Sequence, residues 1–141
     1  MQETQTVARS SSRYFFAPFD VREEFTAKFL DENFCREWIL RRLHPQGATC
    51  PHCELTIHEQ RFWLARKIKC SQCKKWFTAL TGTFLSGCQF TFSEVIVLAM
   101  FLSLQVPDKE IAKVLDISSE NVRLWRHKFM ANQKIEQLID R

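Results

Sequence analysis

Cys50-Pro51-His52-Cys53 and Cys70-Ser71-Gln72-Cys73 decide the reading of this chain: in each motif two residues separate a pair of thiols, and 16 residues separate the motifs. Two intervening residues let one tight turn aim both sulfurs at a single ion. Two such turns on neighbouring strands complete a closed tetrahedral set of thiolates, which suits a structural metal and leaves no position open for catalysis. The spacing is that of zinc ribbons, so one structural Zn2+ held by Cys50, Cys53, Cys70 and Cys73 is expected. Iron or an iron–sulfur centre could use the same thiolates, and spacing does not separate zinc from iron. Disulfides are not expected, because residues 1–13 are polar and lack the apolar stretch of a secretory signal. A thioredoxin-like pair needs one C-x-x-C beside a βαβ pattern, and here there are two without it. His52 and His58 could each replace a thiolate, but the cysteines make neither necessary. Cys35, beside Phe34 and Trp38 on a helix, and Cys88, in a Gly87-Cys88-Gln89 turn, are read as non-ligands.

Between the two motifs, Phe62, Leu64, Ile68 and Cys70 alternate with Trp63, Ala65, Lys67 and Lys69. That period of two predicts a strand over Arg61–Cys70. Its first face points at the core and the metal. Its second is a basic strip that Lys74, Lys75 and Trp76 extend. Trp63 and Trp76 either stack on bases or sugars or cover a core too small to close itself. The charge is concentrated in the same region: residues 41–75 carry 8 basic and 2 acidic side chains, whereas residues 1–40 are net −2 and residues 76–141 are net zero. A four-thiolate zinc carries about −2, which leaves the +6 of residues 41–75 at about +4. A localised excess of this kind is either the footprint of a nucleic-acid surface or a solvated basic face. On the first reading Lys67, Lys69, Lys74 and Lys75 contact phosphates without sequence preference.

After Phe90 the period changes. Thr91-Phe92-Ser93-Glu94 has the form of a capping box, and the apolar run Val95–Leu102 behind it predicts a buried helix. Pro107 breaks that helix, with Asp108 available as a cap or first-turn acid. Two further helices follow. Ile111, Ala112 and Leu115 form the inner face of one, and Val122, Trp125 and Phe129 that of the other, with Ile117 plugging the turn and Ser118 as N-cap. This is the pattern of a helix-turn-helix, whose second helix enters the major groove. Ser119, Glu120, Arg123, Leu124 and His127 are left facing outward. Arg123 suits bidentate contact to guanine, and Arg126 and Lys128 suit phosphates. The plain alternative is a helical hairpin with a solvated polar face.

The rest of the chain is less informative. Phe15, Phe16 and Phe19 form an apolar cluster that must pack on something. Asp31 can cap a helix through Leu43 that buries Phe34, Trp38 and Ile39 or Leu40 against the ribbon, and Pro45 and Gly47 end it. With 45% hydrophobic residues, 3 Gly and 4 Pro, the composition excludes wholesale disorder and collagen-like or linker-like classes. The longest apolar run is 8 residues, short of the roughly 18 needed to span a bilayer. The fold class expected is mostly α with a small β zinc ribbon (α+β): an N-terminal helix, the ribbon, then a three-helix helix-turn-helix unit. Residues 1–13 are read as disordered, 14–90 as the N-terminal helix and zinc-ribbon domain, and 91–141 as the helix-turn-helix domain.

The order of these features resembles the N-terminal region of insertion-sequence DDE transposases that carry a zinc ribbon. The likeness covers roughly residues 25–130 and rests on the double C-x2-C motif together with Trp76-Phe77-Thr78-Ala79-Leu80-Thr81-Gly82-Thr83-Phe84 and the helices after it. The resemblance implies recognition of an element's terminal repeats, with Cys50, Cys53, Cys70 and Cys73 as metal ligands. There are two departures. The family usually has Gly after the first motif, where this chain has Glu54; a positive φ there would add on the order of 1 kcal/mol of strain. The family's catalytic domain, with three carboxylates on a ribonuclease H-like sheet, follows the helices, and the 11 residues after Met130 cannot supply it.

The function expected is therefore sequence-specific binding of double-stranded DNA without catalysis, as a free-standing regulator or as a transposase fragment. The compartment expected is the cytoplasm, at the nucleoid. No membrane or small-molecule substrate is expected, while a homodimer or a polymerase contact stays open. The rival reading is a zinc-dependent protein–protein adaptor acting on transcription machinery.

Overall fold

The computed structural model describes residues 15–58, 62–63 and 66–139, and of 132–139 the backbone only. Among these residues the chain is mostly helical, with one two-stranded antiparallel sheet. The helices are α1 (Pro18–Glu24), α2 (Glu32–Leu43), α3 (Phe92–Ser103), α4 (Asp108–Leu115) and α5 (Ser119–Ile139), with a 3-10 turn at Ala27–Leu30. The strands are β1 (Ile68–Lys69) and β2 (Trp76–Phe77). No described helix is long and apolar enough to cross a membrane. The disorder expected over residues 1–13 lies outside the described residues.

The helix ends follow from local chemistry. Asp31 caps α2 by accepting the Phe34 N–H at 2.9 Å. Thr91 accepts the Glu94 N–H at 3.1 Å while Glu94 accepts the Thr91 N–H at 2.8 Å, the reciprocal box expected for α3. A second carboxylate completes that end: Glu32, at the start of α2, accepts the Phe92 and Ser93 N–H groups at 2.9 and 3.0 Å. One side chain thus satisfies two donors that no intrahelical bond can reach, and it ties α2 to α3. Pro107 precedes α4 and Ser118 caps α5 through the Asn121 N–H at 3.0 Å.

Two apolar clusters share α2 as a wall. The larger takes Cys35, Ile39 and Leu43 from α2, Val95, Ile96, Leu98, Ala99 and Leu102 from α3, Ile111 and Ala112 from α4, and Val122 and Phe129 from α5. Phe15, Phe16, Val21, Phe29, Phe84 and Leu85 close it. The smaller takes Leu40 from the other side of α2 and packs it with Ala48, Ile57, Phe62, Ile68, Phe77 and Ala79 around Cys50 and Cys70. Ile39 and Leu40 are therefore both buried, one in each cluster.

The larger cluster draws on residues from both sides of residue 90, from Phe15 to Phe129. The structure corrects two expectations. Of the segment expected as a strand over Arg61–Cys70, the described residues are strand at Ile68–Lys69 alone; Phe62 and Trp63 lie in a helical turn, with the Phe62 N–H bonded to the His58 carbonyl at 3.0 Å. Phe19 does not join Phe15 and Phe16 inside. Pro18 starts α1, and the helical turn swings Phe19 outward to 50% exposure with the Arg22 guanidinium over its ring.

Candidate functional site

Each cysteine motif sits at the tip of a hairpin. Thr49 bridges Thr56 across the first, and the register of the second pairs Ile68 with Phe77 and Lys69 with Trp76. The two tips repeat the same bonds. The Glu54 N–H reaches the Cys50 carbonyl at 2.9 Å, and the Lys74 N–H reaches the Cys70 carbonyl at 3.0 Å. The Cys50 N–H reaches the Leu55 carbonyl at 2.8 Å, and the Cys70 N–H reaches the Lys75 carbonyl at 2.9 Å. Amides also point at the sulfurs: His52 N–H at Cys50 Sγ, and Gln72 and Cys73 N–H at Cys70 Sγ, each at 3.4 Å. Fixed amide donors of this kind stabilise thiolate charge.

These turns bring Cys50, Cys53, Cys70 and Cys73 together with all four sulfurs within 4.8 Å of one another. Cys50 and Cys73 are 3.7 Å apart and Cys53 and Cys70 are 3.5 Å apart. Those separations are far longer than a disulfide bond of about 2.0 Å. A tetrahedron with metal–sulfur bonds of about 2.3 Å has edges of about 3.8 Å, so the cluster fits one four-coordinate ion with little movement. Without a cation the thiols titrate unequally. Hydrogen bonds from the Cys73 and Gln72 N–H groups outweigh burial and pull Cys70 down to about 6. For Cys53 the N–H of Leu55 acts downward, but burial and the three neighbouring thiols together push it up to about 12.

The other sequence candidates for metal ligands lie elsewhere. His52 and His58 are exposed and outside the cluster. Cys35 is buried in the larger core, donates to the Phe29 carbonyl at 3.1 Å and is raised to about 11, first by burial and then by Glu32 and Asp31. Burial also raises Cys88. Both are inert thiols.

Glu54 adopts φ 68°, as its position after the first motif suggested, and Lys74 adopts the same φ 68° after the second. Only the first of these drew notice in the sequence; the repeat of the motif was the signal for the other. Both side chains are exposed, so the strain is purely backbone. Glu54→Gly and Lys74→Gly are each expected to raise stability by about 0.5–1 kcal/mol, left-handed strain of about 1–2 less the roughly 0.4–1 that glycine adds to unfolded-chain entropy. Urea titration of the metal-loaded protein checks this, with Glu54→Ala giving no gain.

The helical candidates divide. Ser119, Glu120, Arg123, Leu124 and His127 are all exposed on α5, opposite buried Val122 and Phe129; Trp125 is only half-buried. Arg123 is ion-paired with Glu120 one turn earlier. Arg126 stands apart: its guanidinium bonds Asp108 at 2.6 and 2.8 Å and the Val106 carbonyl at 3.0 Å, clamping α5 to the start of α4. This occupied side chain is a poor phosphate contact. Lys128 lies over the Trp125 ring at 4.5 Å. Asp116 closes α4 in the left-handed region at φ 57°, and the Ile117 N–H returns to the Ala112 carbonyl at 3.0 Å.

On the hairpins, Lys67, Lys69, Lys74 and Lys75 are exposed. The two tryptophans expected on this strip part company. Trp63 packs on the smaller cluster under the Arg41 guanidinium, whereas Trp76 is 54% exposed. Leu64 and Ala65 lie outside the described residues. Comparison of the chain with protein-family models, characterised proteins and solved structures finds no match.

Proposed function

We propose that this chain is a double-stranded DNA-binding module of the transposase zinc-ribbon and helix-turn-helix type, with one structural zinc and no catalytic role. Four thiolates at tetrahedral spacing, with no further candidate ligand in the cluster among the described residues, support zinc. Its work is to hold two hairpin tips together; the chemistry it supplies is charge neutralisation of the thiolates. In this reading α4, the turn through Asp116 and Ser118, and α5 are the helix-turn-helix, with α5 as the helix that enters the major groove.

The observation that carries the reading is the outward row Ser119, Glu120, Arg123, Leu124 and His127 on α5, backed by buried Val122 and Phe129. Arg123 stands one turn into the helix, where such proteins reach base edges, and its planar fork matches the two major-groove acceptors of guanine. Lys67, Lys69, Lys74, Lys75 and Lys128 supply phosphate contacts. Arg126 is left out of that set because Asp108 holds it.

The test begins with selection of bound sequences from a random duplex pool. Arg123→Ala is then expected to cost about 1–3 kcal/mol on the selected duplex and much less on a scrambled one at the same salt concentration. Equal losses on both would make Arg123 a phosphate contact and move the reading surface elsewhere. Affinity should also fall steeply with salt, by about 0.9 in log K per log salt for each phosphate neutralised. Retention of no duplex at any salt concentration would leave the adaptor reading in its place.

A further inference from the structure

The outward face of the β1–β2 pair is built from Lys69 directly opposite Trp76, while the inward face pairs Ile68 with Phe77, both buried. At this exposed cross-strand position Trp76 leaves about half of a large apolar ring, 54%, in water. Trp76 is not part of the smaller cluster, against which Trp63 packs. Lys67 and Lys69 hold their ammonium groups over the Trp76 ring, 5.1 and 5.9 Å from its centre, while the ring stays exposed; exposed Lys74 and Lys75 precede it in the chain. The result is an exposed aromatic ring with two cations against it.

Resting on the DNA-binding reading, we infer that Trp76 and its flanking lysines form a stacking platform for an unpaired nucleobase, so that the preferred substrate is duplex DNA carrying an unpaired stretch. Two requirements identify this ligand. It must offer a π-face, which an aromatic ring in water binds best, and it must tolerate or favour the positive charge that Lys67 and Lys69 bring to that ring. A strand of DNA with exposed bases meets both. A continuous duplex meets only the second, because its base faces are stacked on one another. An acidic peptide likewise offers charge without a regular array of flat rings. The platform therefore discriminates by the state of the DNA, and α5 by its sequence.

The test uses the zinc-loaded full chain and three labelled DNAs of one sequence: a blunt duplex, the same duplex with a short single-stranded overhang, and the single strand alone. Fluorescence anisotropy at fixed salt should show the overhang duplex bound about 5- to 150-fold more tightly than the blunt one, the factor that stacking one base on an aromatic ring supplies. Trp76→Ala should abolish that preference, and Trp76→Phe should keep part of it. The side chain is half in solvent, so neither substitution opens a cavity, and metal content should stay unchanged. Stacking releases few counterions, so Trp76→Ala should leave the salt slope as it was, whereas Lys67→Gln with Lys69→Gln should flatten it. Equal binding of blunt and overhang duplexes by the unaltered chain overturns this inference and leaves the DNA-binding reading standing, as does an unchanged preference in Trp76→Ala. Failure of the unaltered chain to bind any of the three DNAs overturns both.

Discussion

Cys70→Ser is expected to abolish metal binding and to unfold the hairpins between Ala48 and Ala79, because that part of the chain packs around the cysteines. Its sheet has two residues per strand, and two members of its buried cluster, Cys50 and Cys70, belong to the set that could hold a metal. A core so small does not offset the ordering of its own chain, whereas a four-ligand zinc site contributes about 10–16 kcal/mol at neutral pH. Elemental analysis should find one zinc per chain and none in the variant. Backbone NMR should show loss of dispersion for Ala48–Ala79 while the helices of the larger cluster persist, since that cluster contains none of the four ligands. Cys35→Ser and Cys88→Ser should keep the metal. The pH dependence has a definite sign. Binding needs thiolates, and Cys53 is protonated up to about 12 in the metal-free cluster, so uptake releases protons and affinity falls as pH is lowered. A folded sample without metal, or a metal-free Cys70→Ser chain that keeps the hairpins, would refute the site.

The features that the sequence made legible are those whose cause is local. Two residues between thiols dictate a turn, and the Thr91–Glu94 box and the Ser118 cap are written in four consecutive residues. The outward row on α5 followed from the inward one by helical period alone. Features that depend on distant partners were not legible. Glu32 caps a helix that begins 60 residues later, and nothing around Glu32 announces it. Arg126 looked like any surface arginine until the fold set Asp108 beside it. The alternation through Arg61–Cys70 placed Phe62, Ile68 and Cys70 inside correctly, but parity does not survive a helical turn, and Trp63 went to the core while Trp76 stayed out. α1 was missed for a related reason: a helix of seven residues is too short to display a period, and only Pro18 at its start and Asp20 bonded back to the Ala17 N–H mark it.

The same dependence on distant partners governs the second large effect, the loss expected on Phe16→Ala. Phe16 is 0% exposed, and its ring lies 5.3 Å from Trp38 on α2, 5.3 Å from Phe84 and 5.9 Å from Phe129 on α5, edge to face in each case. Truncating a phenylalanine so enclosed costs about 3–5 kcal/mol, through lost burial and the cavity left behind. Trp125→Ala should cost less although the residue is larger, because Trp125 is only partly buried at the edge of the core. A chain of this size has on the order of 5–15 kcal/mol in hand, so Phe16→Ala removes a large part of its stability. The location of the loss matters as much as its size. Were residues 14–90 and 91–141 separate domains, removing Phe16 would weaken only the first, and α5 would keep its protection against hydrogen exchange. The aromatic cluster instead joins both sides of residue 90, with Phe15 and Phe84 also against Phe129. Amides of α2 and of α5 should therefore lose protection together, in one urea transition moved to lower concentration. A loss below about 1 kcal/mol, or exchange in α2 that leaves Val122–Phe129 untouched, would show that the two halves hold together without this ring. The shared core also ties the hairpins to the C-terminal helix. α2 contributes Leu40 to the cysteine-bearing cluster and the adjacent Ile39 to the helical one, so a single helix joins the two clusters.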